Sequence, residues 1–414
     1  MENQNQWGEI EPSISAMSTF NPIRELLSTS QEKQPGQKSE QTLINLSLGD
    51  PTLYGNLKIN KQGVDAVDEA LKSFECNGYL PGMGKLEARQ AIAQSYSNEE
   101  HVVDPSNVVL ASGCSGALLL CITSLLNPGD NILIPKPGFS LYKTIASSYG
   151  IEYKTYNLLP EKQWEINLEE LESLVDAKTK AILVNNPSNP CGSNYSKKHL
   201  LEIIAFCEKH RLPIIADEIY RDIVFSGEEF YPFYSLTNSV PVLTTGGLAK
   251  QFLVPGWRLG WVVVHDPLGN FEKVKRGLMA LSNLILGPNS LIQGAIPKIL
   301  NPTSDNTNFK AHLNLVLEKN AKVCEDALSS VEGLTVVKPQ GAMYCMVVIN
   351  TCNFKDIRNG YDFYHALKWE ENVEILPGEV FDFPNSFRIV LAPPEDVMLE
   401  AAHRIKRFCE RHRV

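Results

Sequence analysis

No apolar run in this sequence approaches the ~20 residues that span a bilayer, and its start, MENQNQWGEI, has neither the basic end nor the apolar stretch of a signal peptide. With no Arg-rich, acid-poor leader visible either, a cytoplasmic protein without a membrane partner is expected, in preference to a mitochondrial one. There is no CxxC pair and no CxxC/HxxxH framework, so no metal site is expected. The nine cysteines cannot all pair within one chain, and free, mostly buried thiols in a reducing compartment are the simplest expectation. Positive charge is not in excess: 48 acidic against 38 basic residues leave a formal charge of -10, which disfavours nucleic acid and directs attention to a small-molecule partner. Internal repeats and long low-complexity tracts are also missing.

What is present suits a large globular protein. The 414 residues, 43% hydrophobic and 21% charged, can bury a sizeable core, with two domains or one large and one small. An N-terminal arm contains STFNPIRELL, whose Phe20 and Ile23 are positioned to dock on the body, and the polar stretch STSQEKQPGQKSEQ, Ser28 to Gln41, reads as a mobile connection. From about Pro81 short β-branched runs alternate with helical patterns. NVVLAS, NILIP, KAILVNN, LPIIAD, PVLTT and LGWVVV read as buried strands. Between them, GALLLCITSLL, NLEELESLVDA and SKKHLLEIIAFCEKH carry apolar residues at three- and four-residue intervals. The alternation predicts an α/β fold, a mostly parallel sheet sandwiched by helices. A smaller α+β domain is expected beside it, from the helical run Phe309 to Val331, TVVKPQGAMYCMVVI, YDFYHALKWEEN and LEAAHRIKRFCERH. The expected division is 1–41 for arm and connection, 42–75 for a first part of the small domain, 76–305 for the large domain and 306–414 for the rest of the small one.

Four segments carry residues suited to chemistry. In TTGGLAKQFLVPGWRLGW, Lys250 lies in an apolar, glycine-flanked setting, where a strand would deliver it and burial would favour a neutral, nucleophilic amine. An isolated lysine in a loop more often snorkels to water. SGCSGA follows a strand and opens a helix, so its backbone N–H groups could cradle an anion. Arg258, between Trp257 and Trp261, reads as a second anion ligand and not as a surface residue, although packing of its cation on either ring is the plainer account. Asp217 in ADEIY ends a buried strand at its carboxyl edge, where a carboxylate needs a cation or a protonated ring nitrogen. Asn189 in NNPSNPCG offers an amide donor after another strand. A carbonyl-binding amine, an anion cradle, an acid for a ring nitrogen and an amide donor together match the needs of pyridoxal phosphate.

At this point the chain resembles the fold type I, pyridoxal-phosphate-dependent aminotransferases. LSLGDPT, ECNGYLP, SGCSGA, PKPGFSLY, YNLLPEKQWEINL, VNNPSNPCGS, ADEIY, GGLAKQFLVPGWRLGW and GAMY, from Phe20 nearly to the C-terminus, carry the resemblance. It implies that Lys250 forms the Schiff base with pyridoxal 5'-phosphate and shuttles a proton, that Asp217 holds the ring nitrogen protonated, and that Tyr220 and Asn189 hydrogen-bond the ring oxygen. Phe139 would stack on the ring, Gly113, Cys114, Ser115 and Arg258 would hold the phosphate, and Tyr79 would reach the phosphate of a neighbouring subunit in a homodimer. Arg388 would clamp the substrate α-carboxylate, Gly49 would let backbone approach the substrate, and Asn21 and Arg24 of the arm would close over it. The family often has a phosphate-binding serine three residues before the lysine; here that place is Gly247.

Within the family the likeness is to members acting on L-tyrosine. It implies transfer of the amino group to 2-oxoglutarate, with 4-hydroxyphenylpyruvate and L-glutamate as products. A different or broader preference, for phenylalanine, methionine, leucine, alanine or a kynurenine-like substrate, stays open, because no motif encodes the side-chain pocket. LMALSNLILGP lacks an arginine near Ser282 to Leu286 and so argues against strict aspartate specificity. A catalytically inactive binding relative is the alternative from another class, and the intact set Lys250, Asp217, Asn189, Tyr220, Arg258 and Arg388 argues against it.

Overall fold

The computed structural model describes residues 10–30 and 41–414. Two helices, Ile14–Ser18 and Pro22–Ser30, form the arm. The second runs through Ser28 to Ser30, so the expected connection starts later than its polarity suggested, and residues 31–40 of it lie outside the described residues. Ile23 docks with Leu26 and Leu27 on Leu376, Val380 and Phe381. Phe20 does not: its side chain is 59% exposed, and only its carbonyl is used, accepting from Thr144 Oγ1 at 2.7 Å.

The first strand, β1 (Ile44–Asn45), pairs in parallel with a strand far along the chain, Val373–Glu374. Eight further strands follow: β2 (Val108–Ser112), β3 (Asn131–Lys136), β4 (Glu152–Leu159), β5 (Glu165–Ile166), β6 (Thr179–Asn185), β7 (Ile214–Asp217), β8 (Val242–Gly247) and β9 (Leu259–His265). They form one sheet in the order β2-β9-β8-β7-β6-β3-β4-β5. Its centre is parallel, but β9 runs antiparallel to both β2 and β8, and β5 antiparallel to β4. Helices cover both faces, so successive side chains of one strand enter two different cores. Ile182 and Val184 of β6 join Leu200 and Ile203 on one side, whereas Ala181 and Leu183 join Leu118 and Ile122 on the other. Burial on both faces is why these strands read as unbroken apolar runs and not as alternations. β4, EYKTYNLL, lies near an edge, is exposed over its first two residues, and shows no such run.

The last third of the chain builds a second sheet. Strands β10 (Leu334–Val336), β11 (Tyr344–Ile349), β12 (Val373–Glu374, the partner of β1), β13 (Leu376–Pro377) and β14 (Ser386–Val390) follow in sequence. Four of them make an antiparallel sheet in the order β10-β11-β14-β13. Helices Ser304–Leu328, Gly360–Glu371 and Glu395–His412 bury their apolar faces on it, with Phe363 stacked on Phe387 at 4.8 Å and edge-on to Phe408 at 5.1 Å. Residues from before the large sheet, Ile44, Leu46 and Leu57, belong to this same core. Among the described residues, no helix is long and apolar enough to cross a membrane.

Close backbone approach joins the large sheet to the helix Gly113–Leu125. A Cβ at Gly260 of β9 would lie 2.3 Å from Gly113 C and 2.5 Å from Cys114 N, so only glycine lets the strand and the helix start touch. Gly260→Ala is therefore expected to destabilise the fold by roughly 1–3 kcal/mol through overpacking. The measurement is a lower urea midpoint at unchanged slope, and an unchanged midpoint would contradict this account of the contact.

Candidate active site

The carboxyl ends of β6, β7 and β8, the start of helix Gly113–Leu125, the arm, β11 and β14 enclose a cleft of about 480 Å³. Ligands of open α/β sheets gather at this edge.

Lys250 reaches the cleft from a single helical turn, Leu248–Gln251, that follows β8, and not from the strand itself. The half-buried side chain donates from Nζ to the carbonyl oxygen of Gly49 at 2.5 Å. Gly49 can come this close because it lacks a side chain: a Cβ there would lie 2.6 Å from Tyr344 Oη. Gly247, three residues before the lysine, is pinned in the same way. A Cβ on it would meet Leu259 O at 2.9 Å and Gly260 Cα at 3.1 Å, so the backbone of β9 occupies the space a serine would need.

Asp217 closes β7 and is 3% exposed. Its Oδ2 accepts from Tyr142 Oη at 2.7 Å, and its Oδ1 accepts from Ile219 N at 3.4 Å and from the Cys114 thiol at 3.6 Å. All three donors are neutral, and among the described residues no basic side chain forms an ion pair with it. Burial raises its pKa above the ordinary carboxylate range, and the hydrogen bonds only partly oppose that. The backbone around it is tied to the neighbouring strand by Asn185, which donates from Nδ2 to Asp217 O at 2.9 Å and accepts from Asn189 N at 2.7 Å.

Asn189 thereby sits across from Arg388, whose Nη1 donates to Asn189 Oδ1 at 2.8 Å. A guanidinium can only donate, so the amide oxygen is committed to Arg388 and the Asn189 NH2 group remains to serve as a donor. Arg388, in the middle of β14 and 3% exposed, also donates from Nη2 to Ser47 O at 2.6 Å and lies over the rings of Tyr344 (4.3 Å) and Phe381 (5.0 Å). Its Nε is buried without a partner. Five donors with two acceptors leave it able to take a planar anion. Tyr220, 3% exposed, lies 2.8 Å from Tyr344 through the two hydroxyl oxygens.

On the far side, helix Gly113–Leu125 starts with Gly113 at φ 69° and with no side-chain cap from Ser112, so the first N–H groups face the cleft unsatisfied by the helix. Arg258 is brought against them: a Cβ on Gly113 would lie 2.5 Å from Arg258 Nη2. The arginine is exposed, and it is held by Pro255 O at 3.0 Å and Ser112 O at 3.4 Å. This corrects the expectation of a residue kept off the surface, and its cation does not stack on Trp257 or Trp261, because the left-handed turn at φ 50° points it toward the helix start. Cys114, Ser115 and Phe139 line the same cleft, with Phe139 edge-on to Tyr142 at 5.8 Å.

Asn21 and Arg24 also line the cleft. Asn21 Oδ1 accepts from the N–H groups of Ile23 and Arg24 at 3.2 Å each, capping the arm helix, and from Ser140 Oγ at 3.4 Å. Tyr79 lies outside the cleft of its own chain and is 93% exposed. Sequence reasoning missed Tyr142, Asn185 and Tyr344 as site residues. Tyr142 stands three residues after Phe139 and Tyr344 ends GAMY, but nothing in either motif shows that its hydroxyl meets Asp217 or Tyr220.

Comparison with known proteins gives a consistent result. A family model described as aminotransferase class I and II matches residues 41–405. The chain is similar to tyrosine aminotransferase of Mus musculus, 48% identical across 97% of this chain and 88% of the relative. It is 46% identical to tyrosine aminotransferase of Dictyostelium discoideum, over 99% and 98% of the two chains. Among solved structures it resembles tyrosine aminotransferase from Leishmania infantum, with a TM-score of 0.94 and 37% identity over 99% of this chain and 100% of that one.

Glu218, next to Asp217, yields a test of the site's electrostatics. It is 1% exposed; Oε1 accepts from Phe233 N at 3.0 Å, and Oε2 has no partner. Burial raises its pKa to about 7 from an unfolded value of 4.5. Since the folded value is the higher, the group's contribution to stability is present below the unfolded value and is lost as pH rises through about 7. Wild-type protein without ligands should therefore lose on the order of 2–3 kcal/mol more than Glu218→Gln between about pH 5 and pH 8. Urea midpoints at the two pH values measure this, and equal declines in both proteins would refute it.

Proposed function

This chain belongs to the class I and II aminotransferases, and from that premise we propose that it is a tyrosine aminotransferase using pyridoxal 5'-phosphate. It would move the amino group of L-tyrosine to 2-oxoglutarate, giving 4-hydroxyphenylpyruvate and L-glutamate. The observation that carries the reading is the buried carboxylate of Asp217, which has neutral donors but no cation, opposite Lys250 and beside an uncapped helix start. The donor set suits the cofactor group by group. A protonated ring nitrogen supplies the charge Asp217 lacks, the helix start with Ser115 and Arg258 suits a phosphate, and the Lys250 amine suits an aldehyde.

When bound, pyridoxal phosphate supplies a carbonyl that carries the amino group between substrates and a ring that takes up electrons. The chain's own residues do the rest. Lys250 accepts the proton leaving the substrate α-carbon and returns it at the other end of the transfer. Asp217, supported by Tyr142, keeps a proton on the ring nitrogen. Tyr220 and the Asn189 amide would donate to the ring oxygen, and Phe139 would lie against the ring face. Arg388 binds the α-carboxylate of either substrate and, through Asn189, places it beside the reacting carbon. The arm excludes water from above.

Among the described residues four basic side chains line the cleft, and with Lys250, Arg258 and Arg388 assigned, Arg24 remains for the second carboxylate of 2-oxoglutarate. Ile23 and Leu48 in the same wall suit the ring of tyrosine. A second copy of the chain completes the site in this reading. Tyr79 is 93% exposed, and Leu284, Ile285 and Leu286 are 79%, 63% and 57% exposed, an apolar stretch that suits burial against a partner, from which Tyr79 would reach the phosphate. The nine free cysteines support a reducing compartment such as the cytosol.

Protein loaded with pyridoxal phosphate should be yellow and should bleach on addition of L-tyrosine. Lys250→Ala should lose the bleaching and at least about 10³-fold in turnover, in line with removal of a proton-transferring group. Arg24→Leu should raise KM for 2-oxoglutarate about tenfold, an interaction of ~1.4 kcal/mol, while the rate with tyrosine changes less than about threefold. Retained turnover in Lys250→Ala sinks the mechanism, equal effects of Arg24→Leu on both substrates sink the assignment of the second carboxylate, and faster bleaching by another amino acid across a panel sinks the tyrosine preference.

A further inference from the structure

Tyr344 opens β11 and is 1% exposed, yet it touches three members of the site. Its hydroxyl lies 2.8 Å from that of Tyr220, with the two rings edge to face at 82°. The Arg388 guanidinium lies over its ring at 4.3 Å. Gly49, whose carbonyl holds Lys250, packs on its hydroxyl so closely that a Cβ would sit at 2.6 Å.

Two phenols at hydrogen-bond distance share one hydrogen bond: one donates and the other accepts. Tyr220 can give its own proton to a ligand in the cleft only if Tyr344 is the donor between them. Arg388 favours that arrangement, because a cation on the face of a phenol draws electron density from the ring and strengthens its O–H as a donor. The other charged or titratable groups around the pair are Asp217 at the end of β7, Tyr142 on helix Leu141–Ser148 and Lys250 on the turn after β8. Burial, together with the charge of Asp217, holds the Tyr220 proton in place, and Arg388 opposes them.

We propose that Tyr344 is a positioning residue that directs the Tyr220 hydroxyl toward the cofactor's ring oxygen and couples that hydrogen bond to the occupancy of Arg388. With Arg388 free, Tyr344 donates to Tyr220, and Tyr220 donates onward. A substrate carboxylate on Arg388 offsets the cation above the Tyr344 ring, weakens the first donation and, through it, the second. The proposal rests on the pyridoxal phosphate reading.

The test uses the holoenzyme and reads the pH midpoint of its visible absorption, with and without 3-phenylpropionate, a carboxylate that lacks the amino group. Tyr344→Phe keeps the ring and removes the hydroxyl. In the free enzyme it should raise the midpoint by about 0.5 pH unit, a roughly threefold change in proton affinity and in keeping with modest cooperativity between linked hydrogen bonds. The shift that 3-phenylpropionate causes in the wild type should fall by about half or more in this variant. In a Tyr220→Phe background, adding Tyr344→Phe should move the midpoint by less than about 0.2 unit, since the chain of donors is already cut.

An unchanged midpoint and an unchanged response to 3-phenylpropionate in Tyr344→Phe overturn the proposal, as does an equal displacement with and without Tyr220. A wild type that takes up pyridoxal phosphate while the variants behave alike overturns this proposal alone. A wild type that takes up none overturns the cofactor reading and this inference with it.

Discussion

A carboxylate with no counter-cation, buried at the end of a strand, is the constraint on which the rest of this site depends. Asp217 costs stability where it stands, because burial penalises its charged form and only neutral donors face it. The fold tolerates this through the rigidity of its surroundings: parallel ladders on either side of β7, the Asn185 amide bonded to its backbone, and a phenol at 2.7 Å. A buried carboxylate without a counter-cation is a feature that clusters at functional sites.

The opposite pole of the cleft is built from close approach and not from charge alone. Gly113, Gly247 and Gly260 let β8, β9 and the helix start meet with backbone against backbone, leaving N–H groups and Arg258 pointing at one spot. The helix start, Arg258 and Asp217 line one cleft. Arg388 bridges the two parts: it stands on β14, lies over the ring of Tyr344, and donates to Ser47 O and to Asn189 in the loop after β6. One buried guanidinium thus ties together residues from distant parts of the chain.

Much of this architecture was legible in the residues. Strands buried on both faces are continuous apolar runs, so β2, β3, β6, β7, β8 and β9 stood out, as did helices Gly113–Leu125, Leu168–Leu174 and Lys197–His210 between them. β4 did not, because it lies near an edge where polar residues are tolerated. The direction of β9 was not legible either: periodicity reports which face is buried and is blind to whether a strand runs with or against its neighbours. Lys250 was expected to be delivered by a strand, because the helical turn that carries it is only four residues long and has no periodicity to detect.

By itself, the sequence determined the chemical inventory: a lysine in an apolar segment, an acid at a strand end, a glycine-opened helix and two arginines in stretches shared with a known family. Those are properties of local context, and local context is what a linear chain carries. The tertiary structure alone decided which groups support them. Tyr142 reaches Asp217 across 75 positions, Tyr344 reaches Tyr220 across 124, and Arg388 reaches Asn189 across 199. Contacts at such separations arise only when sheets and helices pack, because the distance between two side chains is then set by the fold and no longer by the chain between them.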